Sequence, residues 1–501
     1  SKEKLELPPI QRFHQFWISN KIIDTILNKR SKRRNDFLIA AIPRSGKSYI
    51  MAYIIESLIK KNTNLHSYNN ILIITTYPNE TINGYIEALN KAIKLPKNVK
   101  IINYKENNNP NLNIEKNIYI ISKQSVFRTN KKIQNFIKKF DIIFTDEFHH
   151  GGSSKLVLKK INHFNGPIIH LTGTYHKVES RYQINEKNIH YWEYEDVQLC
   201  KKFNSIKELY KKYGTKVVKN YINKYEKKYN MGPELLKKMY SLFPDMKYYT
   251  INRETIIKPR DLFILNKDQT DFASNKIKKL LENVIDLNNE NSIFNKIKNQ
   301  EGRTLDKSTG IICFLPSVMD GIDNVSKIFE KYILTKYGDI YETIVLNSKN
   351  NNKKKITKDS KIGLDVALIK KFEQVKKNNK HFIIIVKDML EAGISLPFVD
   401  IILKLHDSDS YEKNLQQNLR SSTESKIIGE KPYAYIVDYN YNNIFRVLLE
   451  SLNTKDQKKQ LSTKDIIKKI VEYELIVSED INYSDMENAI EKMENLEFNY
   501  S

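Results

Sequence analysis

Short apolar runs alternate with longer amphipathic stretches along most of the chain. In the first part, the runs typical of strands lie at residues 37–42, 71–76, 118–122, 142–145 and 168–171. Stretches with helical periodicity separate these runs. Because strands that alternate with helices form parallel sheets covered by helices, the first part of the chain is predicted to be an α/β lobe.

A second series of strand-like runs follows at residues 310–315, 343–346, 382–386, 401–405 and 433–437. The stretch between the two series is rich in lysine and tyrosine and shows helical periodicity at 206–225 and 235–242. It carries no motif with a recognisable chemistry. We therefore predict an α/β lobe at 1–195, a helical bridging or inserted region at 196–307, a second α/β lobe at 308–450, and a helical segment with an acidic tail at 451–501.

The chain carries a large excess of positive charge. Lysine and arginine number 83 against 59 acidic residues, which gives the 501-residue chain a formal net charge of +24. Such a surplus attracts polyanions by releasing their counterions and specifies no base sequence. Nucleic acid is therefore the partner that the charge favours, although an AT-rich coding genome would also enrich lysine, asparagine and isoleucine.

Other classes of protein find little support in the sequence. The apolar runs are shorter than the roughly 20 residues that cross a bilayer, and the first residues lack the apolar core of a secretory signal. Cys200 and Cys313 lie far apart without a nearby Cys or His cluster, which argues against a disulfide framework or a zinc site. We expect an intracellular protein, in the cytoplasm or nucleus, without a membrane partner.

The strongest motif follows the first apolar strand. Residues 41–48 read AIPRSGKS and precede a helical stretch, which is the strand, loop and helix order of a phosphate-binding loop. In such a loop, backbone amides approach the phosphates, lysine neutralises their oxygens and serine binds Mg²⁺. Ala41 replaces the usual first glycine, and an ordinary loop is the alternative. The residues predicted to bind nucleotide are Arg44, Ser45, Gly46, Lys47 and Ser48, and Ser48 is also a predicted metal ligand.

A pair of carboxylates closes a later apolar strand. Asp146 and Glu147 directly follow the run FDIIFT. Beside a phosphate-binding loop, Asp146 would hold Mg²⁺ and Glu147 would polarise the attacking water. Taken alone, the same pair would more often be the solvated start of a surface loop. The two motifs together predict nucleotide hydrolysis.

The segments AIPRSGKS, DEFH at 146–149 and TGT at 172–174 resemble, in order and spacing, motifs I, II and III of superfamily 2 DExH-type helicases and translocases. The RSGKS and DEFHH variants are similar to helicase-like proteins of giant DNA viruses, which suggests a virus-encoded protein. The resemblance implies two RecA-like P-loop lobes, ATP and Mg²⁺ as cofactors, and coupling roles for His149, Thr172 and Thr174. Upstream, PPIQRFHQ at 8–15 resembles the adenine-reading segment, which implies that Gln11 contacts the base.

Four further segments resemble motifs Ia, Ib, IV and V, which contact the nucleic-acid backbone in that family. They are TTYPNE at 75–80, ISKQSVF at 121–127, CFLPS at 313–317 and KDMLEAGISLP at 387–397, the last being similar to type III restriction enzymes. Short polar loops and turns of this kind also occur without such a role. The residues implied in nucleic-acid binding are Thr76, Pro78, Ser122, Gln124, Pro316, Ser317, Gly393 and Ser395.

The segment YEKNLQQNLR at 411–420 resembles motif VI but departs from its usual form. Leu419 replaces the glycine before Arg420, and Thr423 stands where a second arginine is usual. The resemblance implies that Gln416 and Arg420 reach the γ-phosphate. Because the later arginine of the family can contribute about 10³-fold in rate, we expect Arg420 to replace it, another residue to supply the charge, or hydrolysis to be slow.

These motifs predict an ATP-dependent helicase or translocase that moves along DNA or RNA, with DNA favoured. Its contacts should be mainly with the phosphate backbone and therefore largely independent of base sequence. Two alternatives stay open. One is a nucleic-acid-binding protein whose motor is decayed or very slow, and the other is a P-loop NTPase that acts on something other than nucleic acid.

Overall fold

The structure, a computed structural model, divides into two compact units, Ser1–Ser241 and Leu242–Ser501. The predicted helical segment at 451–501 lies outside the described residues. The described residues are 11–28, 34–61, 67–75, 81–92, 95–103, 116–128, 135–146, 154–173, 184–251, 258–301, 304–316, 322–346, 364–387, 396–408, 411–424, 431–440, 443–444 and 447.

A seven-stranded parallel sheet forms the centre of the first unit. Its inner strands are nearly continuous buried apolar runs, which is the pattern of a parallel sheet covered on both faces. In spatial order the strands are β3 (Val99–Asn103), β4 (Lys116–Ser122), β2 (Asn70–Thr75), β5 (Ile142–Asp146), β6 (Pro167–Thr172), β1 (Asn35–Ala41) and β7 (Ile189–Trp192).

Amphipathic helices accompany this sheet. Gly214, with φ of +95°, separates two of them, so the helical periodicity predicted over 206–225 is interrupted where only glycine adopts the backbone easily. The described helices of the unit are α1 (Phe13–Leu27), α2 (Lys47–Lys60), α3 (Thr81–Ala92), α4 (Lys123–Arg128), α5 (Ser154–Ile161), α6 (Tyr194–Lys202), α7 (Ile206–Tyr213), α8 (Thr215–Tyr229) and α9 (Glu234–Ser241), with a 3-10 turn at Glu186–Asn188.

The second unit is built on a six-stranded parallel sheet. Its spatial order is β10 (Tyr341–Leu346), β11 (His381–Val386), β9 (Gly310–Phe314), β12 (Val399–Lys404), β13 (Tyr433–Asp438) and β8 (Asp245–Thr250). The described helices are α10 (Pro259–Leu262), α11 (Lys276–Val284), α12 (Ile293–Glu301), α13 (Ile322–Tyr337), α14 (Leu364–Lys377) and α15 (Tyr411–Asn418). The prediction of two α/β lobes with parallel sheets is confirmed.

The interval 196–307, which the sequence suggested to be one helical region, is shared between the two units. Its first helices pack on the first unit, where Tyr213 and Tyr221 meet the ring of Phe13 edge to face at 5.1 and 5.4 Å. Its later part supplies β8, which pairs in parallel with β13 in the second sheet. The helices that follow β8 place Leu281 and Phe294 in the core of that sheet.

Among the helices that the structure describes, none is long and apolar enough to cross a membrane.

Candidate functional site

The loop between β1 and α2 has the backbone of an anion-binding turn. Arg44 and Gly46 have positive φ angles of 71° and 76°, and the Ser45 N–H donates to the Ile42 carbonyl at 3.2 Å. Alternating right- and left-handed residues turn successive N–H groups towards one side of a loop, which creates a concave site for an anion. Glycine suits position 46, because residues with a side chain rarely adopt its φ of 76°, and Gln15 Nε2 lies close to where a Cβ would stand, at 2.9 Å.

The side chains of this loop suit a phosphate group. The Ser45 hydroxyl is buried and has no hydrogen-bond partner within the described part of the chain. Lys47 and Ser48 begin α2, whose N-terminus carries partial positive charge. Lys47 Nζ donates to the Ala41 carbonyl at 3.3 Å. Burial lowers the pKa of Arg44 to about 10, so its guanidinium stays protonated at neutral pH.

The carboxyl ends of three neighbouring strands bring further candidate residues to the same edge. Thr172 ends β6 and is in register with Ala40, just before the loop. Asp146 ends β5 and is in register with Leu171 of β6. Ser48 and Asp146 both offer oxygen atoms, which are the ligands that Mg²⁺ prefers. The sheet thus sets the loop, Asp146 and Thr172 along one edge.

A buried hydrogen bond ties these strands together directly below that edge. Thr145 Oγ1 and His170 Nδ1 lie 2.7 Å apart, joining the residue before Asp146 to β6. Burial lowers the pKa of His170 to about 4, so the ring is neutral at pH 7. The contact therefore fixes the relative position of the ends of β5 and β6 without placing a charge beside Asp146.

The segment before the loop contains two glutamines, and their surroundings differ. Gln11 is buried, donates to Ser19 Oγ at 3.3 Å and accepts from Lys224 Nζ at 3.2 Å. Gln15, one turn further into α1, has its amide nitrogen against Gly46. The glutamine that adjoins the loop is therefore Gln15, and the contact of Gln11 with the base stays a prediction. The distance along the sequence between Gln15 and the loop does not predict their contact, because only the packing of α1 brings Gln15 next to Gly46.

The residues implied in nucleic-acid binding have unequal exposure. Ser122 ends β4 and is buried, and its hydroxyl accepts the Ser125 N–H at 3.1 Å in the first turn of α4. Gln124, on α4, is exposed and accessible to a ligand. Pro316 follows β9 in the second unit and is buried.

In the second unit, a buried polar network holds the helix that carries Gln416. Lys404 ends β12 and pairs with Asp438 of β13 at 2.9 Å, and neither side chain is exposed. Lys404 Nζ also donates to Asn414 Oδ1 of α15 at 2.7 Å. On the next turn of α15, Gln417 Oε1 lies 3.0 Å from His406 Nε2. The ends of the strands thus fix the position of α15.

Gln416 and Arg420 are themselves largely buried, at 8% and 4% exposure. Gln416 lies within α15, and Arg420 follows the end of that helix. Leu419, which takes the place of a glycine, is 1% exposed and packs as a core residue. Thr423 stands where the second arginine is usual, and its hydroxyl donates to the Arg420 carbonyl at 3.4 Å.

Comparison with known families agrees with this arrangement. Residues 17–177 match the family model described as "Type III restriction enzyme, res subunit", an interval that contains the loop, Asp146 and Thr172. The first unit carries a superfamily 2 helicase-like domain. No curated protein matches the chain.

Two solved structures match a larger part of the chain. The Mycobacterium smegmatis helicase Lhr bound to ssDNA and AMP-PNP matches 93% of this chain and 51% of its own, at 10% identity and a TM-score of 0.44. A fragment of a putative HsdR subunit of a type I restriction enzyme from Vibrio vulnificus matches 85% of this chain and 63% of its own, at 14% identity and a TM-score of 0.43. The chain thus spans about half the length of the Lhr chain.

Several predicted residues of the helicase-like domain and of the second unit lie outside the described part of the chain. In the first unit they include the second carboxylate of the DEFH segment. The residues concerned are Glu147, His149, Thr174, Thr76, Pro78, Ser317, Gly393 and Ser395.

Proposed function

We propose that this chain is a nucleic-acid-dependent ATPase that acts as a helicase or translocase. The observation that carries the proposal is a phosphate-binding loop on the same sheet edge as Asp146, within a domain of superfamily 2 helicase-like type. The anion-binding turn can bind phosphate, and the carboxylate at the end of the neighbouring strand can bind a divalent ion.

The residues of the first unit divide the work of hydrolysis. The backbone amides around Gly46 bind the phosphates, and Lys47 turns from the Ala41 carbonyl to the β- and γ-phosphate oxygens. Ser48 and Asp146 hold Mg²⁺, which neutralises charge that develops on the phosphate oxygens. Glu147, adjacent to Asp146 in sequence, orients the attacking water and accepts its proton.

In the proposed cycle, Gln416 and Arg420 of the second unit contact the γ-phosphate when ATP is bound. The network of Lys404, Asp438 and Asn414 supports this role, because it fixes α15, which carries Gln416 and ends two residues before Arg420. Loss of the γ-phosphate after hydrolysis removes those contacts. His149, Thr172 and Thr174 couple nucleotide binding to nucleic-acid binding. Gly393 and Ser395 contribute to the binding of nucleic acid.

A slow or decayed motor is the second candidate function, and the form of motif VI favours it. Leu419 is buried in place of a glycine, and Thr423 offers only a hydroxyl where an arginine is usual. A missing arginine finger removes about 10³-fold or more of the rate. Such a chain would bind nucleic acid with little or no turnover of ATP.

Steady-state ATP hydrolysis with Mg²⁺ separates these functions. We expect the wild type to hydrolyse ATP faster with polynucleotide than without. Comparing the rates with single-stranded DNA, duplex DNA and RNA identifies the nucleic acid that the protein prefers. Glu147→Gln should abolish the stimulated rate while leaving binding to polynucleotide intact, because it removes only the proton acceptor. Turnover that no polynucleotide stimulates would favour an NTPase with another substrate, and binding without turnover would favour the decayed motor.

A lysine-rich surface on α7 and α8 supports nucleic acid as the partner. Both helices bury one side, through Leu209 and Tyr213 on α7 and Val218 on α8. Lys212 of α7 pairs with Asp196, but four other exposed lysines of these helices form no ion pair with an acid among the described residues. This surface is defined by Lys207, Lys211, Lys216 and Lys219.

Replacing the four lysines of this surface with glutamine should weaken binding to single-stranded DNA and make it less dependent on salt. The slope of log affinity against log salt falls by about 0.7 for each lysine that neutralises a phosphate. The measurement is a salt titration of fluorescence anisotropy. The control carries the same change at four exposed lysines of α11 and α13. Those four are Lys276, Lys279, Lys327 and Lys331. Equal slopes in both variants would exclude the α7 and α8 surface.

A further inference from the structure

A buried histidine joins the phosphate-binding loop to two other parts of the first unit. His14, 1% exposed, lies in the first turn of α1. Its Nε2 lies 2.7 Å from the Ser45 carbonyl oxygen, and its Nδ1 lies 2.7 Å from the Tyr240 hydroxyl of α9. The ring stacks on Trp192 at the end of β7, with centroids 4.6 Å apart and planes inclined by 18°. This histidine lies within the segment at 8–15, whose resemblance to the adenine-reading segment implied a role only for Gln11.

The partners of the ring fix where its hydrogen lies. A carbonyl oxygen only accepts, so Nε2 carries the hydrogen and donates it to Ser45. Nδ1 then has a lone pair that accepts the hydroxyl hydrogen of Tyr240, while the Tyr240 oxygen accepts the His14 backbone N–H at 3.2 Å. Burial lowers the pKa of His14 to about 3, so the ring keeps this neutral form at physiological pH.

This arrangement has a consequence for the amide that follows Ser45. The Ser45 carbonyl and the Gly46 N–H belong to one planar trans peptide, in which the two bonds point in opposite directions. Because His14 holds the carbonyl on its own side, the Gly46 N–H is directed to the other side of the loop. Gly46 caps the N-terminus of α2 with φ of 76°, and amides at this point of such a loop bind phosphate.

We propose that His14 is a positioning residue for nucleotide binding. Its Nε2–H holds the Ser45 carbonyl, and through the shared peptide plane it keeps the Gly46 N–H directed at a bound phosphate. The inference rests on the proposed function, in that the loop must bind nucleotide. A histidine that served only to fill space against Trp192 would leave nucleotide affinity dependent on ring packing instead.

Three substitutions at position 14 distinguish the two roles. In His14→Gln, the amide nitrogen occupies the place of Nε2 and can still donate to Ser45. In His14→Asn, the amide nitrogen corresponds to Nδ1 and does not reach Ser45. His14→Phe keeps a ring to stack on Trp192 but has no donor. The Kd for ADP with Mg²⁺ is measured by calorimetry on the full chain, after thermal unfolding has shown which variants are folded.

We expect His14→Gln to bind ADP within about threefold of wild type, and His14→Asn and His14→Phe to bind it about tenfold more weakly. Tenfold corresponds to about 1.4 kcal/mol, in the range expected when a buried carbonyl loses its donor. Tyr240→Phe should also weaken binding, by about threefold, because the hydroxyl that fixes the hydrogen on Nε2 is gone, while the stack on Trp192 remains.

The outcomes separate the inference from the function on which it rests. A wild type that binds no nucleotide would overturn both. Nucleotide binding by the wild type, with His14→Phe tighter than His14→Gln or with all variants equal, would overturn only the role of His14. Should the position 14 variants not fold, Tyr240→Phe decides, since unchanged affinity there contradicts the proposal.

Discussion

Replacing Lys47 with alanine is expected to lower the rate of ATP hydrolysis by at least about a hundredfold. The ammonium group of Lys47 can stabilise the negative charge that develops on the γ-phosphate oxygens during hydrolysis. Removing one such stabilising donor typically costs about 10²- to 10³-fold in rate. In the structure Lys47 Nζ donates at 3.3 Å to the carbonyl of Ala41, which ends the preceding strand. The measurement is kcat for ATP with saturating polynucleotide.

The matched control for Lys47 lies on the same helix. Lys60, in the last turn of α2, is about half exposed and pairs with Glu56 at 2.6 Å, an exposed pair that contributes little. Lys60→Ala should keep the wild-type rate, and both variants should unfold at nearly the wild-type temperature. Turnover by Lys47→Ala at the wild-type rate would contradict the assignment of this loop as the site of hydrolysis.

Replacing Lys404 with methionine is expected to destabilise the second unit by about 3–5 kcal/mol. The substitution leaves Asp438 without its cation in a place where neither partner is exposed, and a buried charge without its partner is costly. It also removes the donor to Asn414 on α15. For a unit of this size the loss corresponds to a fall in Tm of about 10 °C, measurable by thermal or urea unfolding.

Two comparisons isolate the buried pair. Lys371→Met removes a partly exposed partner of Glu342 in the same unit, and it should cost less than about 1 kcal/mol. The double change Lys404→Met with Asp438→Leu should recover much of the stability, because neither charge then remains buried. A Tm for Lys404→Met equal to that of Lys371→Met would show that the pair contributes little.

The sequence predicted the inner strands of both sheets but not three strands at their edges. Inner parallel strands are covered on both faces, and they therefore appear as continuous apolar runs such as those of β1 and β12. Strands β3, β7 and β8 each lie at an edge of a sheet. The residues of β3 are mostly half-buried, and β8 reads DMKYYT with few aliphatic side chains. Edge strands need no such run, so periodicity gave no signal for them.

The boundary between the units was also beyond the sequence. Helical periodicity correctly indicated helices in the lysine- and tyrosine-rich interval, but periodicity says nothing of the surface against which a helix packs. The division depends on contacts between distant residues, such as Tyr221 with Phe13 and Asp245 with Tyr433. Each of these contacts joins parts of the chain that are far apart in sequence, and no local pattern encodes them.

The sequence by itself determined where the loop at 41–48, Asp146 and Thr172 lie, because each follows or ends a buried strand and parallel strands deliver their carboxyl ends to one edge. Only the tertiary structure decided that Gln15 adjoins Gly46, that His14 bonds Ser45 and Tyr240, and that Lys404 pairs with Asp438. Chemistry carried on consecutive residues leaves a motif in the sequence. Side chains that meet because helices and strands pack against one another leave none, since their partners are set by the fold and not by spacing along the chain.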